Sequence, residues 1–285
     1  MNTVKVLTLE YNDLPTKLQG IPTAPKKLYY RGNKPEYLGT SPSVAIVGSR
    51  KVDEYGRYIT KKFASELSQK GITIISGLAL GVDALAHTAC LEEGGTTLAV
   101  LPSGIESIYP RTHAQLGKRI ESSGGLLSEY PDRHTPYPGN FLERNRLISG
   151  LADVVIVTQA AAKSGSLNTA MHARKQGKIV LAVPGPITNP LCDGTNMLIK
   201  NGAVPLISSD QVLKLLKIKK TLKKIDTSNY TALETEILKN IKGSMTTTDD
   251  IIRSTQQNTE LIITTLTMLE IKGNITLIRD HWTMI

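Results

Sequence analysis

The feature that most constrains this chain is a series of short, continuously apolar runs, several of them ending in glycine, serine or proline. They are Val44–Val47, Ile72–Ile75, Thr97–Leu101, Leu126–Leu127, Val154–Val157 and Ile179–Val183. Stretches of helical spacing lie between them, such as Tyr55–Lys70, Val82–Glu93, Arg111–Ser122 and Gly165–Gln176. A strand that is apolar at every position is buried on both faces, and 10–16 residues of amphipathic helix between strands is the length of a parallel crossover. The pattern predicts a doubly wound α/β domain with a mostly parallel sheet over residues 41–215, preceded by a short N-terminal extension, 1–40.

In such sheets ligands bind beyond the carboxyl ends of the strands. Those turns read Gly48-Ser49-Arg50, then Ser76-Gly77-Leu78-Ala79-Leu80-Gly81-Val82-Asp83, then Pro102-Ser103-Gly104, then Gln159 to Ser166. Glycine and serine at several strand ends suit an anion, because backbone N–H groups and helix N-termini attract phosphate. Arg50, next to Gly48 and Ser49, is expected to hold a phosphate. Lys163-Ser164-Gly165-Ser166 opens a helix, as a simple serine cap or as an anion cradle. Phe141, one of two phenylalanines, is either a core anchor or a stacking platform for an unpaired base. Beside it stand Arg144, Asn145 and Arg146. The arginines are two apart on a helix, so at most one is expected to face a site, the other pairing with an acid such as Glu143 or Asp153. Asp83 reads as a helix cap, and His87 as structural.

Several chemistries are excluded. The chain lacks a GxGxxG dinucleotide fingerprint, a GxxxxGK[ST] phosphate loop, HExxH and the GxSxG nucleophile elbow. No metal or cofactor is implied. From Thr158 to Gln176 there is neither Asp nor Glu, so a hydrolase would lack a carboxylate base in that loop, and binding without catalysis is expected. Cys90 and Cys192 are far apart, which excludes a disulfide framework and suits a cytoplasmic protein. No run approaches the length of a membrane span, and the acid-containing opening MNTVKVLTLEYNDLP does not suit a signal peptide.

The net charge of +9 is unevenly placed. Residues 1–213 carry +6, the lysine-rich stretch 214–225 carries +6 with no acid, and residues 226–285 carry −3. The change of composition marks a linker, 216–228, and a second domain, 229–285. There Thr231–Ile241, Thr247–Ser254 and Asn258–Lys272 have helical spacing, followed by a Gly273-Asn274 turn and β-like runs Ile275–Ile278 and Trp282–Ile285. Three helices and a ribbon predict a winged helix. Its candidate recognition helix holds Glu260 and Glu270 against Lys272, so it is expected to contact a protein, or duplex DNA only weakly.

Taken together, the chain resembles the bacterial DNA-processing protein A (DprA/Smf) family. The matching stretches run from Pro25–Gly32 and Val44–Arg50 through Ser76–Ala84, Gly104-Ile105 to Tyr109-Pro110, Ser128–Pro131 and Phe141–Arg146. They end with Lys163–Ser166, Gly194–Asn196 and Gly202-Ala203. The resemblance implies an extended Rossmann-type domain that binds single-stranded DNA without catalysis, forms a homodimer, and loads RecA recombinase onto incoming DNA in natural transformation. It implies that Arg50, Arg144 and Lys163 hold phosphates, that Phe141 stacks on a base, and that Ser164, Gly165 and Ser166 donate to phosphates. Gly48, Ser49, Gly77, Asn145 and Arg146 complete the expected DNA-binding set. Two positions depart from the family's pattern: Leu142 stands where many relatives have proline, and Pro138 stands where some relatives carry a basic residue in the loop before the phenylalanine. The enzymic alternative is the related lysine-decarboxylase-like phosphoribohydrolases, whose Pro-Gly-Gly-x-Gly-Thr loop and glutamate have no counterpart at Lys163–Ser166.

Overall fold

The computed structural model describes residues 5–33, 38–218, 230–241, 247–278 and 280–284. Most of the linker expected over 216–228 lies outside them. The chain divides into two units, Met1–Lys219 and Lys220–Ile285, each with its own core.

The larger unit is built on a nine-stranded sheet. Its strands are β1 (Leu7–Glu10), β2 (Lys27–Gly32), β3 (Ser43–Val47), β4 (Thr73–Ser76), β5 (Thr97–Leu101), β6 (Gly125–Ser128), β7 (Val154–Val157), β8 (Ile179–Ala182) and β9 (Val204–Pro205). Their order is β1-β2-β6-β5-β4-β3-β7-β8-β9, and β3 to β9 pair in parallel. The connecting helices are α1 (Thr16–Gln19), α2 (Glu54–Ser68), α3 (Val82–Glu92), α4 (Ala114–Ser123), α5 (Pro138–Leu151), α6 (Ser166–Lys175), α7 (Asp193–Lys200) and α8 (Ser209–Leu215).

The apolar runs are buried on both faces, as their composition requires. Along β3, Ala45 and Val47 enter one core and Val44 and Ile46 the other; along β7, Val155 and Val157 oppose Val154 and Ile156. The strands build outward in two directions from the β3–β7 pair, through β4, β5 and β6 on one side and β8 and β9 on the other. That reversal makes the carboxyl ends of β3 and β7 the topological switch point, where a crevice opens.

The short N-terminal extension expected over 1–40 contributes two strands to the sheet: β1 and β2 form its antiparallel edge, with Tyr30 opposite Leu127 on β6. The Tyr30 ring lies across Gly125, where a methyl group would collide with it, and its hydroxyl donates to Gly124 O at 2.8 Å. Mixed polarity in LTLE and KLYYRG hides these strands from a reading by apolar runs.

The smaller unit holds α9 (Ala232–Ile241), α10 (Thr248–Thr255) and α11 (Thr259–Ile271), then β10 (Ile275–Ile278) paired antiparallel with β11 (His281–Met284). This is the element order expected of a winged helix. Ile237, Leu238, Ile251, Ile262, Leu266 and Trp282 form its core. Among the described residues no helix is long and apolar enough to cross a membrane.

Candidate nucleic-acid interface

A cleft of about 750 Å³ lies at the switch point, lined by the loops after β3 and β7 and the N-terminal turn of α5. Ten of the twelve expected site residues line it: Gly48, Ser49, Arg50, Phe141, Arg144, Asn145, Lys163, Ser164, Gly165 and Ser166. Gly77 and Arg146 do not.

The loop after β3 is lashed to the loop after β7. Ser49 N donates to Gln159 O at 2.7 Å, and Val82 N donates to Ser49 O at 3.2 Å. Gly48 fits because a methyl group there would lie 2.5 Å from Val82 Cγ2 and 2.6 Å from Gln159 O. The buried Ser49 turns its hydroxyl back to accept from Lys51 N. Gly48 and Ser49 therefore shape the loop, and Arg50 projects from it. Its guanidinium carbon stands 5.0 Å from the centroid of Phe141, a cation–π distance.

Phe141 belongs to no hydrophobic core cluster. It is half-buried in the cleft wall, edge-to-face with Tyr109 at 5.5 Å and 77°. The core-anchor reading of Phe141 is set aside on this geometry. Tyr109, quoted in the family resemblance but given no site role there, shares the wall; the signal available was its place in the loop that follows the strand ending at Leu101.

The loop after β7 runs into α6. Lys163 is exposed and pairs with no acid among the described residues. Ser164 Oγ and Ser166 Oγ lie 2.8 Å apart. Gly165 faces open space: a methyl group there would meet nothing within 4 Å. The backbone at the start of α6 is thus open to solvent on that side. Asn145 holds the turn from below, donating to Gly165 O at 3.4 Å and Asn168 Oδ1 at 3.1 Å.

Arg144 sits differently from its expected role. It is 4% exposed, and Nη1 donates to Gly77 O at 2.7 Å and to Val100 O. The guanidinium thus closes the ends of β4 and β5 rather than reaching for a phosphate. Gly77 is its seat, since a methyl group there would lie 2.6 Å from the guanidinium carbon. Burial pushes Arg144 down to about 10, with Asp83 opposing the shift. Asp83 is pushed up by burial, countered by the charge of Arg144 and by N–H donors of the loop. Its carboxylate accepts from Gly77 N at 3.1 Å and Ala79 N at 3.4 Å, so it folds the loop after β4.

Arg146 also turns away from the cleft. Nη2 donates to both oxygens of Glu129, at 2.7 and 2.6 Å. The acid is Glu129, not Glu143 or Asp153: Glu143 accepts from Tyr130 Oη at 2.9 Å, and Asp153 pairs with Lys17 at 2.7 Å. Among the described residues no three His, Cys, Asp or Glu side chains gather to hold a metal.

The family profile of "DNA recombination-mediator protein A" matches residues 5–217. The chain belongs to that family. Protein Smf of Escherichia coli (strain K12) is 38% identical over 240 residues, covering 81% of this chain and 64% of its own length. DNA processing protein DprA of Bacillus subtilis (strain 168) is 37% identical over 216 residues, covering 76% of this chain and 71% of its own. The chain spans only 53% of Protein Smf of Synechocystis, to which it is 42% identical. The X-ray structure of DNA processing protein A from Streptococcus pneumoniae superposes with TM-score 0.70 at 38% identity, covering 74% of each chain. A structure of DNA processing protein A from Helicobacter pylori, described for its single-stranded DNA binding mode, gives TM-score 0.68 at 35% identity. It covers 75% of this chain and 96% of that one. The DNA recombination-mediator family thus accounts for the sheet and the cleft, while its profile ends before the smaller unit.

Proposed function

We propose that this cleft binds single-stranded DNA without turning it over, and that the chain acts as a recombination mediator, working as a homodimer and passing the strand to RecA recombinase. The observation that carries the reading is the meeting in one crevice of Phe141, the backbone at Gly165, and two exposed cations, Arg50 and Lys163, that pair with no acid among the described residues. A half-buried aromatic ring in a cleft wall beside cationic side chains suits an unstacked base on a flexible strand. A duplex keeps its bases inside and has no use for Phe141. The binding mode announced for the H. pylori relative supports this. Asp83, the one carboxylate among the described residues that line the cleft, is committed to backbone amides and faces Arg144, which favours binding over hydrolysis.

The test is a fluorescence-anisotropy titration with single- and double-stranded oligonucleotides of one sequence across a salt series. Tighter binding of the single strand, weakening linearly in log–log with salt, is expected. Equal affinity for both forms would sink the reading. Phosphoribohydrolase activity is checked in parallel by incubating the chain with nucleoside monophosphates and assaying free base; none is expected.

A further inference from the structure

The cleft does not use all of the charge that the larger unit carries. Residues 50–62 hold Arg50, Lys51, Arg57, Lys61 and Lys62 against Asp53 and Glu54, a net +3, half of the +6 of residues 1–213. Arg50 and Lys51 line the cleft. The other three stand on α2, which starts three residues after Lys51 and, at 15 residues, runs about 22 Å. Arg57 and Lys61 lie one turn apart on one face with Lys62 beside them, and all three are exposed. Asp53 does not neutralise them: its carboxylate accepts from Gly56 N at 2.8 Å, Gln159 Nε2 at 2.8 Å and Asn189 Nδ2 at 2.7 Å. The acids of α2 itself are Glu54 in its first turn and the half-buried Glu66, and neither pairs with a cation among the described residues.

A second basic element adjoins the first. α8 packs beside α2, with Val212 and Leu213 in the same apolar cluster as Phe63 and Leu67. The lysine-rich stretch 214–225, to which the cleft gives no role, starts on this helix. Lys214 and Lys217 are exposed and pair with no acid among the described residues. The one acid of α8, Asp210, sits in its first turn. Cations gathered in this way repel one another, and a chain of phosphates laid across them relieves the repulsion while releasing its own counterions. A flexible single strand seated in the cleft can bend over the rim at Lys51 and meet α2 next. A duplex, stiff over about 150 base pairs, cannot follow that turn.

We propose that α2 and the end of α8 form a second phosphate-binding surface, which takes the sugar–phosphate backbone of the same single strand where it leaves the cleft past Lys51. This rests on the single-stranded DNA reading above.

The experiment titrates the full chain, across a salt series, with oligothymidines of about six and about twenty nucleotides, the first short enough for the cleft and the second long enough to leave it. Arg57→Gln, Lys61→Gln and Lys62→Gln combined should keep the native melting temperature and the native affinity for the short strand. Affinity for the long strand should fall about tenfold at low salt, and its log–log salt slope by about 2, some 0.7 for each lost phosphate. Lys214→Gln with Lys217→Gln should lower that slope by about 1.4. Native slopes with the long strand in both variants would overturn the proposal. So would an equal loss with the short strand, which would place these residues in the cleft, or an equal loss with a duplex of the same length, which would reassign the surface to duplex DNA. Lys163→Ala separates this inference from the reading beneath it, since it should weaken both lengths. If it does so while the helix variants keep native slopes, this inference alone falls; native binding of both lengths by Lys163→Ala and Phe141→Ala would remove the proposed function.

Discussion

At the residue scale, the arginines and lysine of the cleft divide by what already satisfies them. Lys163 has no acid partner among the described residues, so its charge is available to a ligand; Arg144 is spent on Gly77 O and Val100 O beneath the surface. Lys163→Ala should therefore leave unfolding unchanged while flattening the salt dependence of single-strand binding by about 0.7 in log–log slope, one phosphate's worth. Arg144→Ala should act on the fold instead. It strands the buried Asp83 carboxylate without its countercharge, and urea denaturation should show a loss of about 3–5 kcal/mol. A stable Arg144→Ala chain with a lowered salt slope would return Arg144 to the phosphate role. Phe141→Ala should cost about 1–3 kcal/mol in single-strand affinity, and because Phe141 lies outside the cores its melting temperature should barely move. The sequence shows that a Phe-x-x-Arg-Asn-Arg helix stands near a strand end. Which arginine turns inward depends on Gly77 leaving room for a guanidinium sixty-seven positions away, and on Glu129 waiting for Arg146. No local pattern carries that information.

At the element scale, legibility followed composition. The parallel strands β3 to β8 and α2, α3 and α6 were readable because burial on two faces enforces continuous apolar runs and amphipathic crossovers; β9, two exposed residues at the sheet edge, was not. The antiparallel edge was not, because β1 and β2 carry Glu10, Lys27 and Arg31 along with their apolar residues. The packing of α3 against β5 holds a group of neither kind, His87. Its Nδ1 lies 2.7 Å from Thr97 Oγ1, whose own proton goes to Ile74 O at 2.8 Å. His87 must then donate from Nδ1, leaving Nε2 as a buried lone pair without a partner. Burial, reinforced by the charges of His113 and Arg144, pushes its pKa down to about 3 from 6.5. The unfolded chain therefore binds a proton more readily than the folded one. Stability present above pH 6.5 should be lost progressively as pH falls towards 3. His87→Leu removes the titration, and the drop in urea midpoint between those limits should be shallower than in the native chain. Parallel pH profiles for the two would mean that another group governs acid unfolding.

At the scale of the whole molecule, the two units have separate cores and different charge, and every feature of the candidate interface belongs to the first. The only tryptophan, Trp282, is 7% exposed in the core of the second, so its emission reports that unit's folding alone. Far-ultraviolet circular dichroism reports helices of both. A ligand that binds only the folded larger unit stabilises that unit by mass action, by about 2.7 kcal/mol when present at a hundred times its dissociation constant. Saturating single-stranded DNA should accordingly raise the main circular-dichroism melting transition by several degrees and leave the tryptophan transition where it was. Glu260 and Glu270 on α11 make that helix a poor phosphate neutraliser, in keeping with this expectation. If DNA shifted the tryptophan transition equally, the smaller unit would have to share the strand or be folded as one with the larger. The separation of charge along the chain, +6 before residue 214 and −3 after residue 225, would then not set the smaller unit apart from nucleic acid.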